Sequence, residues 1–145
     1  MKNEKELMES IKTSGLRMTK VRRVLASVFS RSHTPLSASR ILWELQQSGL
    51  NVNKTTVYRE IDRLESLGML TRTKLQDRKE YYELASLDHH HHLVCLSCER
   101  IEDIDVDEGS LMRGVEEWSK KKEFSILKHS LEFFGLCREC QKVSC

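Results

Sequence analysis

Two Cys-x-x-Cys pairs, Cys95-Leu96-Ser97-Cys98 and Cys137-Arg138-Glu139-Cys140, stand 38 residues apart in a chain of 145 residues. This spacing constrains the fold more than any other feature. Two residues between cysteines let both sulfurs of a tight turn face one ion. Two such knuckles supply the four thiolates of a closed tetrahedral site suited to structural Zn²⁺. The chain between them must then fold back on itself. A thioredoxin-like redox pair would be one such motif beside a βαβ pattern, and here there are two with no such pattern. Buried free thiols are the third option. Cys145 is left over and reads as a frayed terminal thiol.

The N-terminal MKNEKELMES lacks the apolar stretch of a signal peptide. No apolar run approaches the roughly 20 residues that span a bilayer. The expectation is a soluble, cytoplasmic chain with no membrane partner, and paired cysteines in a reducing cytosol more often bind metal than form disulfides. A hydrophobic content of 39% with 32% charged residues excludes a disordered chain. Net charge is only +2, but it is unevenly spread. Residues 1–80 hold 16 Lys/Arg against 9 Asp/Glu, and residues 81–145 hold 8 against 13. A basic half beside an acidic one suggests two tasks, the basic half being the candidate for a polyanion.

In the basic half the hydrophobic period predicts four helices. The first runs from Lys2 to Ser14, with Leu7, Met8 and Ile11 on one face and Gly15 as its C′ residue. Thr19 caps the second, in which Val21, Val24, Leu25, Val28 and Phe29 follow the i, i+3, i+4 rule. Ser37 caps the third, ending near Gly49, and Asn53 the fourth, ending at Gly68. Strands near Thr71–Leu75 and Glu80–Leu84 follow, joined by a polar turn over Gln76 to Lys79. Helices followed by a hairpin are the order of a winged helix-turn-helix.

With Val57, Ile61 and Leu64 inward, the fourth helix turns Lys54, Thr55, Tyr58, Arg59, Asp62 and Arg63 outward. Donors near a helix N-terminus suit the major groove of DNA. Arg17, Lys20, Arg22 and Arg23 can add phosphate or minor-groove contacts. The bland alternative is a solvated charged face. Helix order and the wing favour DNA.

The run His89-His90-His91-His92 leads into Cys95. In an extended strand His90 and His92 point one way, His89 and His91 the other. One pair per face implies up to two metal sites sharing a strand, to be completed for Fe²⁺, Mn²⁺ or Zn²⁺ by carboxylates such as Glu83, Asp103, Asp105, Asp107 or Glu108. His33 or His129 alone would read as structural or exposed. The rest of this half predicts strands at His91–Cys95 and Arg100–Asp105, a helix from about Ser110 to Lys121, and a strand from Phe124 to Phe134. Leu131, Phe133, Leu136, Ile101, Ile104 and Trp118 form the expected core. So small a unit is expected to finish its burial by self-association. A dimer also duplicates the recognition helix and matches a palindromic site.

The segments Gly15 to Arg22, Thr55-Thr-Val-Tyr-Arg59, His89 to Cys98 and His129 to Cys140 together resemble the ferric uptake regulator family of bacterial metalloregulators. The resemblance covers about residues 10–141. It implies an α+β chain, with a winged helix-turn-helix DNA-binding domain (1–84) and a small α/β dimerisation domain with antiparallel strands (85–145). The implied molecule is a homodimeric, metal-dependent repressor and not an enzyme, gripping a double-stranded DNA operator when a regulatory metal is bound. Carried over residue by residue, Cys95, Cys98, Cys137 and Cys140 match the structural zinc site. His33, Glu83, His90, His92 and Asp103 match the regulatory site at the domain hinge. His89, His91 and His129 match a further site, with Glu108 as the acidic ligand. Tyr58 and Arg59 match recognition-helix contacts, and Arg17 the minor-groove residue.

Three departures qualify the match. Lys20-Val21 stands where the family often has Pro-Gln, weakening the first-turn signal. His91 stands where many iron sensors have Asp, making the second site richer in nitrogen, as in zinc sensors. Glu83 stands where peroxide sensors carry Asp. Iron is the expected signal, with zinc uptake or peroxide stress as alternatives within the family. The rivals from other classes are a zinc-stabilised metalloenzyme and a metal-storage module.

Overall fold

Three side chains start three helices in the first of two units. The structure, a computed structural model, describes residues 2–75, 79–87 and 90–143. Its compact units are Met1–Asp88 and His89–Cys145. In the first, α1 (Lys2–Thr13) precedes α2 (Lys20–Arg31), α3 (Ala38–Gln47) and α4 (Lys54–Ser66). Thr19, Ser37 and Asn53 each accept a hydrogen bond from the backbone N–H three residues on, at 3.2, 3.2 and 2.9 Å. Each satisfies a donor that the first helical turn cannot. Gly68 follows α4 at φ 71°, a left-handed conformation that glycine adopts without steric cost.

The apolar faces of the four helices meet in one core. Ile11, Leu25, Ile41, Leu45, Val57, Ile61 and Leu64 are fully buried, and Tyr82 joins them from the sheet. That sheet has order β1-β3-β2, with β1 (Leu36–Ser37), β2 (Leu70–Lys74) and β3 (Glu80–Leu84) all antiparallel. The wing hairpin is therefore present, with its first strand starting one residue early. Gln76, Asp77 and Arg78 of the expected turn lie outside the described residues. The two-residue β1 was not expected; it docks on β3 immediately before the Ser37 cap.

In the second unit β4 (His91–Cys95) is the central strand, antiparallel to β5 (Ile101–Ile104) and parallel to β6 (Glu132–Gly135). The parallel pairing requires a long crossover, which α5 (Gly109–Lys121) and its return segment supply. A short α6 (Arg138–Val143), absent from the sequence reading, carries Cys140.

One expectation for this unit fails, and its expected core stays partly open, as a unit expected to finish its burial by self-association would leave it. The strand expected from Phe124 to Phe134 begins only at Glu132, where pairing with β4 starts. Before it, Glu123 at φ 50° reverses the chain, and Phe124 and Ile126 line an apolar groove with Leu111, Val115 and Trp118 of α5. The expected core also does not close within one chain. Trp118 is 71% exposed, and Phe133 and Leu136 about 40%. What β4 buries is Val94 and Cys95 with His91 and His92. Among the described residues no helix is long and apolar enough to cross a membrane.

Candidate metal centres and nucleic-acid face

The first knuckle is made by the end of β4. The N–H of Cys95 donates to the carbonyl of Arg100 at 2.9 Å and that of Glu99 to the carbonyl of Cys95 at 3.0 Å. Glu99, at φ 60°, closes the turn. The second knuckle leaves β6 and enters α6, and it is tied to the first by the N–H of Cys137 donating to the Cys95 sulfur at 3.3 Å. Cys98 Sγ and Cys137 Sγ are 3.7 Å apart, and all four Sγ atoms lie within 4.8 Å of one another. With Zn–S bonds of about 2.3 Å, the edge of a tetrahedron is about 3.8 Å. The donor set therefore fits a closed thiolate site.

The acidities of these thiols point the same way. Backbone N–H donors from Cys137 and Cys98 lower the Cys95 thiol to about 6. At Cys137 the N–H of Cys140 acts to lower the value, but burial and the neighbouring thiols outweigh it and push it up to about 12. Cys98 is also raised: the hydrogen bond with Cys95 and burial outweigh the N–H of Arg100. The Cys95 thiolate forms readily while Cys98 and Cys137 resist, because like charges this close repel. A bound dication removes that repulsion.

On one face of β4, His91 is 2% exposed, and its Nδ1 lies 3.0 Å from the carbonyl of Leu131. A proton on Nδ1 donated to that carbonyl leaves Nε2 as the lone-pair nitrogen, the arrangement typical of a metal-ligating imidazole. His91 Nε2 contacts the Glu108 carboxylate, which also lies 3.0 Å from His129 Nε2. Three donor atoms of His91, Glu108 and His129 lie within 4.8 Å of one another. His89 lies outside the described residues.

The opposite face carries His92, 4% exposed, whose ladder partner on β5 is Asp103. His92 Nε2 and Asp103 Oδ1 are 3.7 Å apart, and the His90 ring meets the His92 ring edge-on at 4.9 Å. Glu83 sits on β3 of the first unit opposite Thr71, half-buried. His33 is exposed in the turn after α2, where the Ser32 hydroxyl donates to the Thr34 carbonyl at 2.6 Å.

On the helical side, Lys54, Thr55, Tyr58 and Arg59 are all exposed on α4, as is Arg17 before α2. The Lys54 ammonium lies 5.9 Å from the Tyr58 ring centre. Two basic residues behave otherwise than their sequence context suggests. Arg22, grouped above with possible phosphate contacts, is 5% exposed and bound to Glu60. Arg72 of the wing binds Asp62 at 2.8 Å and Glu65 at 2.5 Å on α4, and Glu80 on β3 at 3.2 Å. Neither pairing is visible in composition or helical period.

Comparison with known proteins extends the same pattern. The profile of the ferric uptake regulator family matches residues 13–134. The ferric uptake regulation protein of Helicobacter pylori is 32% identical over 139 residues, covering 96% of this chain and 91% of its own. That of Legionella pneumophila is 34% identical over 140 residues, covering 94% and 99%. The solved structure of the Helicobacter pylori ferric uptake regulator, described as having three functional metal binding sites, aligns with a TM-score of 0.77 at 31% identity, covering 94% of this chain and 90% of that one. The Vibrio cholerae regulator aligns with a TM-score of 0.77 at 28% identity, covering 89% and 98%. This winged-helix chain, with its thiolate and histidine clusters, belongs to the ferric uptake regulator family.

Proposed function

We propose that the chain is a metal-dependent transcriptional repressor that acts in the cytoplasm as a homodimer on a palindromic DNA operator, with iron as its signal. The observation that carries this reading is the pairing of two features in one chain. One is a capped helix presenting Lys54, Thr55, Tyr58 and Arg59 outward beside a wing; the other is a set of histidine, carboxylate and thiolate clusters on β4. Zinc is the second reading for the signal, because His91 and His129 give the Glu108 cluster two nitrogens.

Roles divide by ligand type. Cys95, Cys98, Cys137 and Cys140 hold a structural Zn²⁺ that clamps the ends of β4 and β6. His90, His92 and Asp103 belong to the regulatory site, which Glu83 and His33 complete from the first unit. His91, His129 and Glu108, with His89, form an additional site. Glu83 and Asp103 would offer a divalent cation carboxylate oxygens and the imidazoles nitrogen donors, and such a cation would supply the positive charge that neutralises the two carboxylates. Binding favours DNA only in so far as these ligands are better arranged in the DNA-competent conformation. A coupling of roughly 1–3 kcal/mol gives about 5–150-fold tighter operator binding.

The test uses a duplex selected for tightest binding from a random-sequence library. Affinity is measured for wild type and His90→Ala with Fe²⁺, Zn²⁺, Mn²⁺ or chelator present. Wild type should tighten with metal and His90→Ala should not. Equal affinities throughout would remove the switch.

A further inference from the structure

We infer that Arg22 is a positioning residue for DNA recognition, a buried fork that fixes the Arg17 segment against the recognition helix before DNA arrives. The inference rests on the DNA-binding reading above. Arg22 stands in a run of cations before and within α2, where composition counts it as a phosphate ligand. Its side chain is instead 6% exposed. Nε donates to Glu60 Oε2 at 2.7 Å and Nη2 to Glu60 Oε1 at 3.2 Å, so the two planar groups meet edge to edge. Nη1 donates to the backbone carbonyl of Arg17 at 2.6 Å.

Three elements are thereby joined by one guanidinium. Glu60 follows Arg59 directly on α4, and Arg17 lies in the exposed segment before the Thr19 cap. A bidentate guanidinium–carboxylate pair fixes orientation as well as distance. Its burial keeps it from being traded for water. The Arg22 cation is not left to meet a phosphate, since its Nε and Nη2 already donate to both oxygens of Glu60. The fork's work is preorganisation: the exposed Arg17 and the exposed Tyr58 and Arg59 reach DNA at a fixed separation, so less ordering is lost on binding. Lysine can neutralise Glu60, but it lacks the planar geometry to hold both carboxylate oxygens and the Arg17 carbonyl together.

Two variants of the full, metal-loaded chain test this: Arg22→Lys, and Arg22→Met combined with Glu60→Leu, which removes both charges and keeps apolar volume. Affinities are measured from 50 to 300 mM salt on the selected duplex and on a mixed-sequence duplex of equal length. Arg22→Lys should bind the selected duplex about tenfold more weakly, the scale of one lost charge-assisted hydrogen bond, with a smaller loss on mixed sequence. The double variant should melt near the wild type, lose selected-duplex affinity similarly, and keep the wild-type salt slope. A salt slope shallower by about 0.9 would make Arg22 a phosphate contact and overturn the inference. Arg22→Lys within twofold of wild type on both duplexes would also overturn it. A wild type that binds neither duplex would instead refute the DNA-binding reading itself.

Discussion

The start of the recognition helix hangs on one side chain whose two roles can be separated by substitution. Asn53 Oδ1 accepts from the N–H of Thr56 at 2.9 Å and from the Thr56 hydroxyl at 3.1 Å. Replacing it with alanine leaves that donor to water and destabilises the helix start by about 1 kcal/mol, within a range of about 0.5–2. For a cooperative unit the size of Met1–Asp88, this corresponds to a melting point lower by about 4–8 °C. Since Lys54 and Thr55 occupy the turn that the cap secures, DNA affinity should fall by at most about fivefold, the equivalent of that energy. Asn53→Asp keeps an acceptor in place and gains from the positive end of the helix, so its stability should match or exceed the wild type. On the DNA-binding reading proposed for α4, it also places a negative charge where phosphates would approach. Its affinity should therefore fall further than that of alanine at low salt, with the gap narrowing as salt rises. Calorimetry and fluorescence anisotropy over a salt series measure both quantities. Alanine weakening DNA binding without lowering the melting point would refute the reasoning, because Asn53 would then be a direct contact and not a cap.

Three further outcomes follow from the same geometry. Cys137→Ser, or prolonged chelation, should abolish the cooperative melting of the second unit while the helical core of the first still melts, as followed by the tryptophan fluorescence of Trp43→Phe and Trp118→Phe single-tryptophan variants, which report the second and the first unit in turn. Arg72→Met should cost about 1–2 kcal/mol in urea denaturation, since it unties three partly exposed carboxylates, each worth only a fraction of a buried pair. The same hub sets an acid limit: the hydroxyl of Tyr82, then Arg72, hold the Glu80 carboxyl below its ordinary range. Its stabilisation is complete above the unfolded value of about 4.3 and lost as pH falls through the lower folded value. A urea midpoint whose pH dependence across that window is the same in Glu80→Gln as in wild type would refute the assignment.

How much of this was legible depended on how far apart the partners lie. Thr19, Ser37 and Asn53 were readable as caps because a cap is satisfied within three residues of itself. The buried leucines and isoleucines of α2 to α4 followed from the helical period for the same local reason. The cysteine pairs were readable because their chemistry needs a shared centre, whatever the fold between them. The return of Phe124 and Ile126 along α5 was not, since a run of alternating apolar residues looks alike whether it pairs with a strand or lies against a helix. The inward turn of Arg22 is hidden for a related reason: its partner is 38 residues away, and nothing in a charge run distinguishes an inward cation from an outward one. The exposed Trp118, Phe124 and Phe134 show the limit of reading a core from one chain alone.

Strand β4 places donors for separate clusters within five residues: His91 toward Glu108, His92 toward Asp103, and Cys95 at the knuckle. At about 3.3 Å per residue the strand acts as a ruler, and its even period decides which donor serves which face. With the knuckle held in place, insertion or deletion of a single residue between His92 and Cys95 would turn both imidazoles to the opposite faces of the strand. A substitution along this stretch alters one donor, whereas a change in the count of residues reassigns every donor before it.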